Sequence, residues 1–209
     1  ETIQGESGVV CPPAGFLPGL RDLTRAHGAL LWVDEVQTGV GRCGEWLTSV
    51  ADGLDADLIT IAKGLGNGVP IGACIAIGPA GELLTPGSHG STFAGNPIAA
   101  AAGLAVLKTI EDDDLLVRAR ELGDRLAEAV MDLGLPQIET VRGRGLLRGI
   151  VLSVDIAPRV ADAMLDSGWI INAPRPSVLR LAPPLVVTDE IIDRFAQVLG
   201  VVIAQESAP

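Results

Sequence analysis

An α/β fold followed by a smaller α+β unit is the fold class that the sequence predicts. The first half alternates a segment of helical periodicity with short, solidly apolar runs that end abruptly at Gly, Pro or charge. Such runs are typical of strands buried on both faces of a mostly parallel sheet. The second half has longer amphipathic segments and isolated apolar runs, which indicate a separate α+β arrangement. We therefore expect a larger unit over residues 1–110 and a smaller one over residues 111–209.

The elements of the first half follow from periodicity and end signals. Leu20, Leu23 and Ala26 recur at helical spacing, and His27-Gly28 provides a C-terminal stop. Strands are predicted for three apolar runs, and a helix for a later Ala-rich stretch that Asn96 caps with Pro97 in the first turn. These are Ala29–Val33, Leu58–Ala62 and Ala73–Ile77 for the strands, and Ile98–Ile110 for the helix.

The elements of the second half begin after the acidic break at residues 111–114. Leu115, Leu122 and Leu126 lie on one face of an amphipathic helix that ends at Gly134. A last helix is capped by Thr188 and continues through the apolar residues near the C-terminus. Between them we expect strands at 149–154, 169–172 and 178–181, and a helix at 158–167 that Gly168 ends.

Composition excludes several classes of function. Lys and Arg total 15 against 26 Asp and Glu, a formal charge of −11, which repels the phosphate backbone of nucleic acids. The longest uninterrupted apolar run, Ile98–Leu107, is too short to span a bilayer. Three scattered cysteines without a CxxC pair fit a reducing compartment. We expect a cytoplasmic protein that binds neither membrane nor nucleic acid.

Two charged side chains stand where predicted strands end, Asp34 and Lys63. In open α/β sheets, ligands collect at the carboxyl ends of the strands. An Asp and a Lys on neighbouring strand ends are what pyridoxal phosphate chemistry requires, because the Lys forms a Schiff base and the carboxylate keeps the ring nitrogen protonated. The alternative is that both strands end in charge simply because they emerge into solvent.

Two loops add to this prediction. Gly64–Gly68 leaves backbone close to the lysine, as a ligand would need, although the same run is also typical of a surface turn. The loop Gly87–Asn96 offers hydroxyls and amides and leads into a helix N-terminus, which attracts anions such as phosphate. A helix-capping loop without a ligand explains that segment equally well. No metal site is expected, because His27 and His89 are far apart and near no Cys or Asp cluster.

Four motifs, in order, resemble the class III pyridoxal phosphate aminotransferases. They are Asp34–Gly39 (DEVQTG), Ile61–Gly64 (IAKG), Gly90–Pro97 (GSTFAGNP) and Arg180–Leu185 (RLAPPL). The resemblance implies a fold-type I transferase, a pyridoxal 5'-phosphate cofactor and a homodimer with shared active sites. It covers essentially the whole chain but only the C-terminal half or so of the family's length.

The resemblance also implies roles for five residues that contact the cofactor. Lys63 forms the covalent link and moves the proton, and Asp34 pairs with the ring nitrogen. Val36 packs on one ring face and Gln37 bonds the phenolic oxygen. Thr92 reaches the cofactor phosphate of the partner subunit.

Substrate binding is implied for Arg180 and Glu6. Arg180 would hold the α-carboxylate of glutamate or 2-oxoglutarate by a bidentate pair. Strand alternation puts Leu179 and Leu181 on the face opposite Arg180, and exposure on an edge strand is the alternative reason for a charge there. An ω-amine substrate leaves Arg180 without a carboxylate, so Glu6 would pair with it in that half-reaction.

The implied reaction is transamination of N-acetylornithine with 2-oxoglutarate in arginine biosynthesis. Aminotransferases for ornithine, 4-aminobutyrate or another ω-amine share most of the motifs, and these residues do not separate them. A second alternative is a truncated, non-catalytic polypeptide that only dimerises. The chain also departs from the family pattern, with Thr2 at a usual Pro and Asn67 at a usual Gly.

Overall fold

The computed structural model describes residues 1–208 and divides them into two compact units. Unit 1 comprises Glu1–Thr2, Pro12–Gly41 and Glu45–Asp114. Unit 2 comprises Ile3–Cys11, Arg42–Gly44 and the described chain from Leu115 onward. Within residues 1–208, no helix is both long and apolar enough to cross a membrane.

Unit 1 contains a three-stranded sheet in the order β1-β2-β3 and three α-helices. Short 3₁₀ turns follow β2 and β3. The strands are β1 (Trp32–Asp34), β2 (Leu58–Ile61) and β3 (Ala73–Ala76); the helices are α1 (Phe16–Ala26), α2 (Thr48–Ala51) and α3 (Pro97–Asp112); the 3₁₀ turns are Lys63–Leu65 and Gly78–Glu82.

The sheet of unit 1 is mixed. β1 and β2 are parallel, with Asp34 opposite Thr60, whereas β2 and β3 are antiparallel. A parallel return to the same sheet usually needs a crossover of a dozen or more residues, most often a helix. The link between β2 and β3 holds only residues 62–72 and a 3₁₀ turn, so β3 returns antiparallel.

The expectation that these strands are buried on both faces is wrong for β3 and for part of β1. All four residues of β3 are exposed, and Trp32 in β1 is 63% exposed. The buried apolar cluster of the described residues of unit 1 lies along β1, β2 and α1. The cluster comprises Leu31, Val33, Leu54, Ala56 and Ile59, with Leu17, Leu20 and Leu47 packed against it.

The helix ends of unit 1 match the sequence signals. α1 ends at Ala26 with His27 as its C-cap. α3 begins at Pro97, and the side chain of Asn96 accepts a hydrogen bond from the N–H of Ala99 at 2.9 Å. The predicted cap of this helix is therefore confirmed.

Unit 2 contains a four-stranded antiparallel sheet in the order β4-β5-β7-β6 and three α-helices. Its buried apolar cluster draws on every strand but β6 and on all three helices. The strands are β4 (Ile138–Arg144), β5 (Leu147–Leu152), β6 (Asn172–Arg175) and β7 (Val178–Leu181); the helices are α4 (Leu115–Met131), α5 (Ala157–Asp166) and α6 (Asp189–Glu206).

One strand of unit 2 was not predicted. The segment with Arg142 and Arg144 forms β4, the edge strand that pairs with β5. It was not predicted because an edge strand with one solvated face has a polar, irregular pattern. Strand β7 lies where predicted, β6 begins three residues later than expected, and Thr188 caps α6.

Candidate functional site

Asp34 and Lys63 lie at the same edge of the sheet in unit 1. Asp34 is the last residue of β1, and Lys63 lies two residues beyond the end of β2. Because β1 and β2 are parallel, their carboxyl ends meet at one edge of the sheet. Both side chains belong to exposed residues. The arrangement brings a primary amine and a carboxylate to the edge where ligands of α/β sheets bind.

Lys63 has an unusual backbone. Its φ is +43°, in the left-handed region that residues other than glycine rarely adopt. Such a residue carries strain of about 1–3 kcal/mol, and this strain is concentrated at functional sites. The 3₁₀ turn Lys63–Leu65 begins at this residue and directs the chain away from β2.

A pocket of about 420 Å³ borders Lys63. Its lining continues along the glycine-rich segment that follows the lysine. A Cβ at Gly66 would lie 2.1 Å from the carbonyl oxygen of Val69, so the turn closes only with glycine there. Asn67 adopts φ +46°, a conformation that asparagine tolerates better than most residues. The lining residues are Lys63, Gly64, Asn67, Gly68, Val69, Pro70 and Ile71.

The loop that follows β1 is held by local hydrogen bonds. The Asp34 carboxylate accepts a hydrogen bond from the N–H of Val36 at 2.9 Å. The side-chain amide of Gln37 donates to the Glu1 carboxylate at 3.5 Å. Val36 and Gln37 are half-buried. The three predicted cofactor residues Asp34, Val36 and Gln37 thus lie at the end of β1 and in the loop that follows it.

Glu35, which the sequence reasoning missed, is the most completely buried charged residue of the described chain, at 1% exposure. Its carboxylate accepts hydrogen bonds from Thr38, Thr48 and Ser49. From the sequence alone, an acidic residue next to another acidic residue is expected to be exposed to solvent, so the burial of Glu35 was not predicted. The signal that was available is the cluster of small hydroxyl residues near it in the sequence.

Thr92 lies exposed in the loop that precedes α3. The side chain of Asn96 occupies one N–H of the helix N-terminus, that of Ala99. The middle of α3 packs on the segment after Lys63, since a Cβ at Gly103 would lie 3.6 Å from both Leu65 and Ile71. The same helix therefore follows the Thr92 loop and supports the turn that begins at Lys63.

In unit 2, Arg180 and Glu6 form an ion pair. Nη1 of Arg180 lies 2.7 Å from Oε1 of Glu6, and the Arg180 side chain is only 17% exposed. Arg180 belongs to β7, which lies between β5 and β6, so exposure on an edge strand does not explain its charge. Leu179 and Leu181 are buried, in agreement with the predicted alternation.

The loop that carries Glu6 is anchored on the sheet of unit 2. The Arg142 guanidinium donates two hydrogen bonds to the carbonyl of Gly8, at 2.8 and 3.1 Å. A Cβ at Gly149 would lie 2.9 Å from Val9, so the loop and β5 are in close contact. Gly149 is the β5 neighbour of Arg180 in the sheet register, and this contact holds Glu6 beside Arg180.

Comparison with known proteins identifies the family. The model of the family described as aminotransferase class III matches residues 1–203. The chain belongs to the class III aminotransferases. Members of this family are pyridoxal phosphate enzymes, so membership agrees with the chemistry predicted for Asp34 and Lys63.

Curated class III relatives are similar along the whole chain. The acetylornithine aminotransferase of Mycolicibacterium smegmatis is 54% identical over 203 residues, which cover 97% of this chain and 52% of that protein. The chain thus spans about half the length of the curated relatives it matches.

Solved structures of class III enzymes share the fold. An ornithine aminotransferase from Toxoplasma gondii matches with a TM-score of 0.89 at 34% identity, over 99% of this chain and 51% of that one. An N-acetylornithine aminotransferase from Stenotrophomonas maltophilia matches with a TM-score of 0.87 at 33% identity, over 97% and 54%. The predicted fold class, with its fold-type I architecture, is therefore confirmed.

Proposed function

We propose that this chain catalyses, or forms the catalytic C-terminal part of a protein that catalyses, pyridoxal-phosphate-dependent transamination. The substrates are N-acetylornithine and 2-oxoglutarate, and the products are N-acetylglutamate semialdehyde and glutamate, in cytoplasmic arginine biosynthesis. The observation that carries the proposal is the position of Asp34 and Lys63 at one edge of a parallel strand pair, beside a pocket of about 420 Å³.

The residues present fit the cofactor by their chemistry. A lysine amine can bind an aldehyde covalently, and a carboxylate at the same sheet edge can pair with a protonated ring nitrogen. The strained backbone of Lys63 and the glycine-rich turn after it leave the amine beside a pocket rather than in a packed core. When bound, pyridoxal phosphate supplies an electron sink for the carbanion that forms at the substrate carbon.

The side chains of the β1 loop orient and polarise that group. Asp34 keeps a proton on the ring nitrogen, Val36 packs on one ring face, and Gln37 donates to the phenolic oxygen. The free amine of Lys63 removes and returns the proton during amino transfer, as a positioned general base and acid does. These roles follow from the motif matches.

Arg180 and Glu6 form the proposed substrate switch. Arg180 binds the α-carboxylate of glutamate or 2-oxoglutarate, and Glu6 neutralises Arg180 when the ω-amine substrate brings no carboxylate there. The ion pair at 2.7 Å supports the second state. Glu6 is 71% exposed at its side chain, so it can leave Arg180 without breaking a packed core.

The choice of N-acetylornithine rests on the curated relatives. Several at 46–54% identity carry the name acetylornithine aminotransferase. Solved ornithine aminotransferases match this fold equally well, so an ornithine or other ω-amine aminotransferase is the second candidate. A panel of N-acetylornithine, ornithine and 4-aminobutyrate as amino donors separates the two by relative kcat/KM.

We also propose that the chain forms a homodimer in which Thr92 binds the cofactor phosphate of the partner subunit. Phe93, Ile98 and Leu104 are 80%, 76% and 70% exposed, and apolar exposure of this kind is typical of an interface. In this proposal residues 1–110 complete the large cofactor domain and residues 111–209 form the small domain. Sedimentation of the chain as a monomer at micromolar concentration would contradict the dimer.

The first experiment measures cofactor binding directly. The chain is mixed with pyridoxal phosphate, its visible spectrum is recorded, and the sample is reduced with borohydride for intact-mass analysis. We expect a visible band and one added cofactor, both abolished in Lys63→Ala because the substitution removes the side-chain amine that borders the pocket. A truncated, non-catalytic polypeptide would give no adduct in the wild-type chain.

The switch has its own test. In Glu6→Gln the ion pair with Arg180 is lost, so the half-reaction with the ω-amine substrate should slow by about tenfold or more, while that with glutamate changes little. Both half-reactions are followed separately by stopped-flow absorbance of the cofactor. Equal losses in the two half-reactions would exclude the switch.

A further inference from the structure

The side chain of Glu35 is the centre of a buried polar cluster in unit 1. Its two carboxylate oxygens accept hydrogen bonds from five donors, which are three hydroxyls and two backbone N–H groups. The donors are Thr38 Oγ1 (3.1 Å), Thr48 N and Oγ1 (both 2.7 Å), Ser49 N (2.8 Å) and Ser49 Oγ. Because Glu35 is only 1% exposed, hydrogen-bond donors of the protein replace almost all of the water that would otherwise hydrate this carboxylate.

The backbone of Glu35 is fixed as firmly as its side chain. Its N–H donates to the carbonyl of Thr60 at 2.8 Å, which extends the ladder between β1 and β2 by one residue. Its carbonyl accepts from the N–H of Gly39 at 2.9 Å, which closes the loop that begins at Asp34. A Cβ at Gly39 would lie only 3.0 Å from that carbonyl oxygen, so the loop packs tightly on Glu35.

Thr2 extends the cluster by one further hydrogen bond. Its hydroxyl lies 2.6 Å from that of Thr48, and both residues are buried. Because the Thr48 hydroxyl donates its only hydrogen to Glu35, the Thr2 hydroxyl donates to Thr48. Thr2 therefore adds a donor to this cluster.

We propose that Glu35 is a positioning residue that fixes Asp34 and the loop to Gly39 in the geometry that binds the cofactor. The inference rests on the proposed function and adds a residue to which the motif matches assign no role. Successive residues of a strand point to opposite faces, so a buried Glu35 places Asp34 on the opposite, exposed face. The Asp34 carboxylate itself accepts a hydrogen bond from the N–H of Val36 within the same loop.

A carboxylate is needed here rather than an amide. An ionised Glu is acceptor-only, with about four lone-pair sites for its donors, whereas Gln offers one oxygen and two N–H donors. In Glu35→Gln, the NH₂ group therefore faces either the donors of Thr48 or those of Ser49. A buried donor left unsatisfied costs about 1–3 kcal/mol, so the loop shifts or opens.

Asp57→Asn supplies a matched control in the same unit. The Asp57 carboxylate also accepts a backbone N–H, that of Leu31 at 2.7 Å, and pairs with Arg21. It lies at the amino end of β2, at the opposite end of that strand from Lys63. This variant loses a carboxylate and stability without touching the loop after β1.

The test compares the full chain as wild type, Glu35→Gln, Asp34→Asn, Asp57→Asn and the two double variants that contain Asp34→Asn. Amide hydrogen exchange over residues 34–39 is measured without cofactor, and the dissociation constant of pyridoxal phosphate is measured from the visible band. We expect Glu35→Gln to accelerate exchange and weaken binding, each by about tenfold. Asp57→Asn should leave both within about twofold of wild type after correction for global stability.

The double variants separate positioning from general destabilisation. If Glu35 acts through Asp34, the loss of affinity in Asp34→Asn/Glu35→Gln is smaller than the sum of the single losses. Additive losses, as expected for Asp34→Asn/Asp57→Asn, would overturn the proposal. Ser49→Ala removes one donor and keeps the charge; it should show the same changes at a smaller size if Glu35→Gln fails to fold.

Failure of the proposed function is recognised independently. A wild-type chain that gives no band and no borohydride adduct contradicts cofactor binding by this chain. Hydrogen exchange without cofactor then decides whether Glu35 fixes the loop: faster exchange over residues 34–39 in Glu35→Gln than in Asp57→Asn supports the positioning role. Equal exchange in the two variants overturns it.

Discussion

Unit 2 buries twenty apolar side chains between a four-stranded antiparallel sheet and three helices, whereas the apolar cluster around the sheet of unit 1 has five. The described residues of unit 1 also bury the carboxylate of Glu35 with its five donors. The predicted cofactor residues lie in unit 1, on segments that leave the sheet. The predicted substrate switch lies in unit 2, where Arg180 stands on a central strand.

The difference teaches how each unit holds its functional side chains. In unit 2 a rigid apolar core fixes β7, and Arg180 takes its position from the strand. In unit 1 the side chains stand on a loop and a 3₁₀ turn, so polar contacts and glycine packing have to fix them. Substitutions at matched positions should therefore change the stability of the two units by different amounts.

The largest expected effect is truncation of a central-strand isoleucine. Ile150 in β5 and Ile59 in β2 are 0% and 1% exposed. Replacement by Ala should destabilise by about 2–5 kcal/mol, with Ile150→Ala near the upper end, because its dense surroundings cannot collapse into the cavity. Hydrogen exchange of the β5 and β2 amides measures each unit separately. A larger loss for Ile59→Ala would contradict the comparison.

An intermediate effect depends on pH and is confined to unit 1. The hydrogen bond from Arg21 holds the pKa of Asp57 below its usual value, and the N–H of Leu31 lowers that pKa further. A carboxyl whose pKa is depressed on folding stabilises the protein above its unfolded pKa, and this contribution disappears as the pH falls through the folded pKa. Asp57→Asn should therefore be less stable than wild type at neutral pH, and the difference in unfolding free energy should close in acid, as the pH falls from the unfolded pKa of about 4 through the lower folded pKa.

The measurement is urea unfolding of both proteins at a series of pH values, read from the amides of β2. The amides of β5, in unit 2, serve as an internal control and should show no difference between the two proteins. A gap that persists unchanged into strong acid would contradict the assigned pKa direction.

The smallest effects are expected at two helix caps, one in each unit. Asn96 caps α3 with a 2.9 Å hydrogen bond, and Thr188 caps α6 with one of 3.4 Å. Replacement by Ala should cost about 1 kcal/mol, and the shorter bond of Asn96 predicts the larger loss within that range. Thermal unfolding of Asn96→Ala and Thr188→Ala measures the two losses of stability. Equal losses would mean that the length of the capping hydrogen bond does not determine them.

Much of the fold was accessible from the sequence because the signals are local. The caps at Asn96 and Thr188, the C-terminal stop at His27 and the strand β7 all follow from residue types at fixed offsets. Strand β4 could not be predicted from the sequence, since apolar and polar residues need not alternate in an edge strand. The antiparallel direction of β3 could not be predicted either, because it depends on the connection from β2 and not on the residues of β3 themselves.

The candidate site was predicted residue by residue from motifs, and those assignments stay predictions. The structure adds one relation that no motif contains, the set of donors that surrounds Glu35. The ion pair between Glu6 and Arg180, which the sequence reasoning expected for one half-reaction, is present. Glu6 and Arg180 are separated by most of the chain. Their contact depends on the anchoring of the Gly8 loop by Arg142 and on the register between β5 and β7.

The sequence by itself determined which groups this protein can use: an amine and a carboxylate at strand ends, a charge within a strand, and glycines where the chain has to turn. These features follow from residue identity and short-range periodicity, both of which can be read from the sequence. Only the tertiary structure decided that Glu35 is buried while its neighbour is exposed, and that Thr48 and Ser49 surround its carboxylate. This depends on how the loop after β1 packs against α2, a contact that no local pattern specifies.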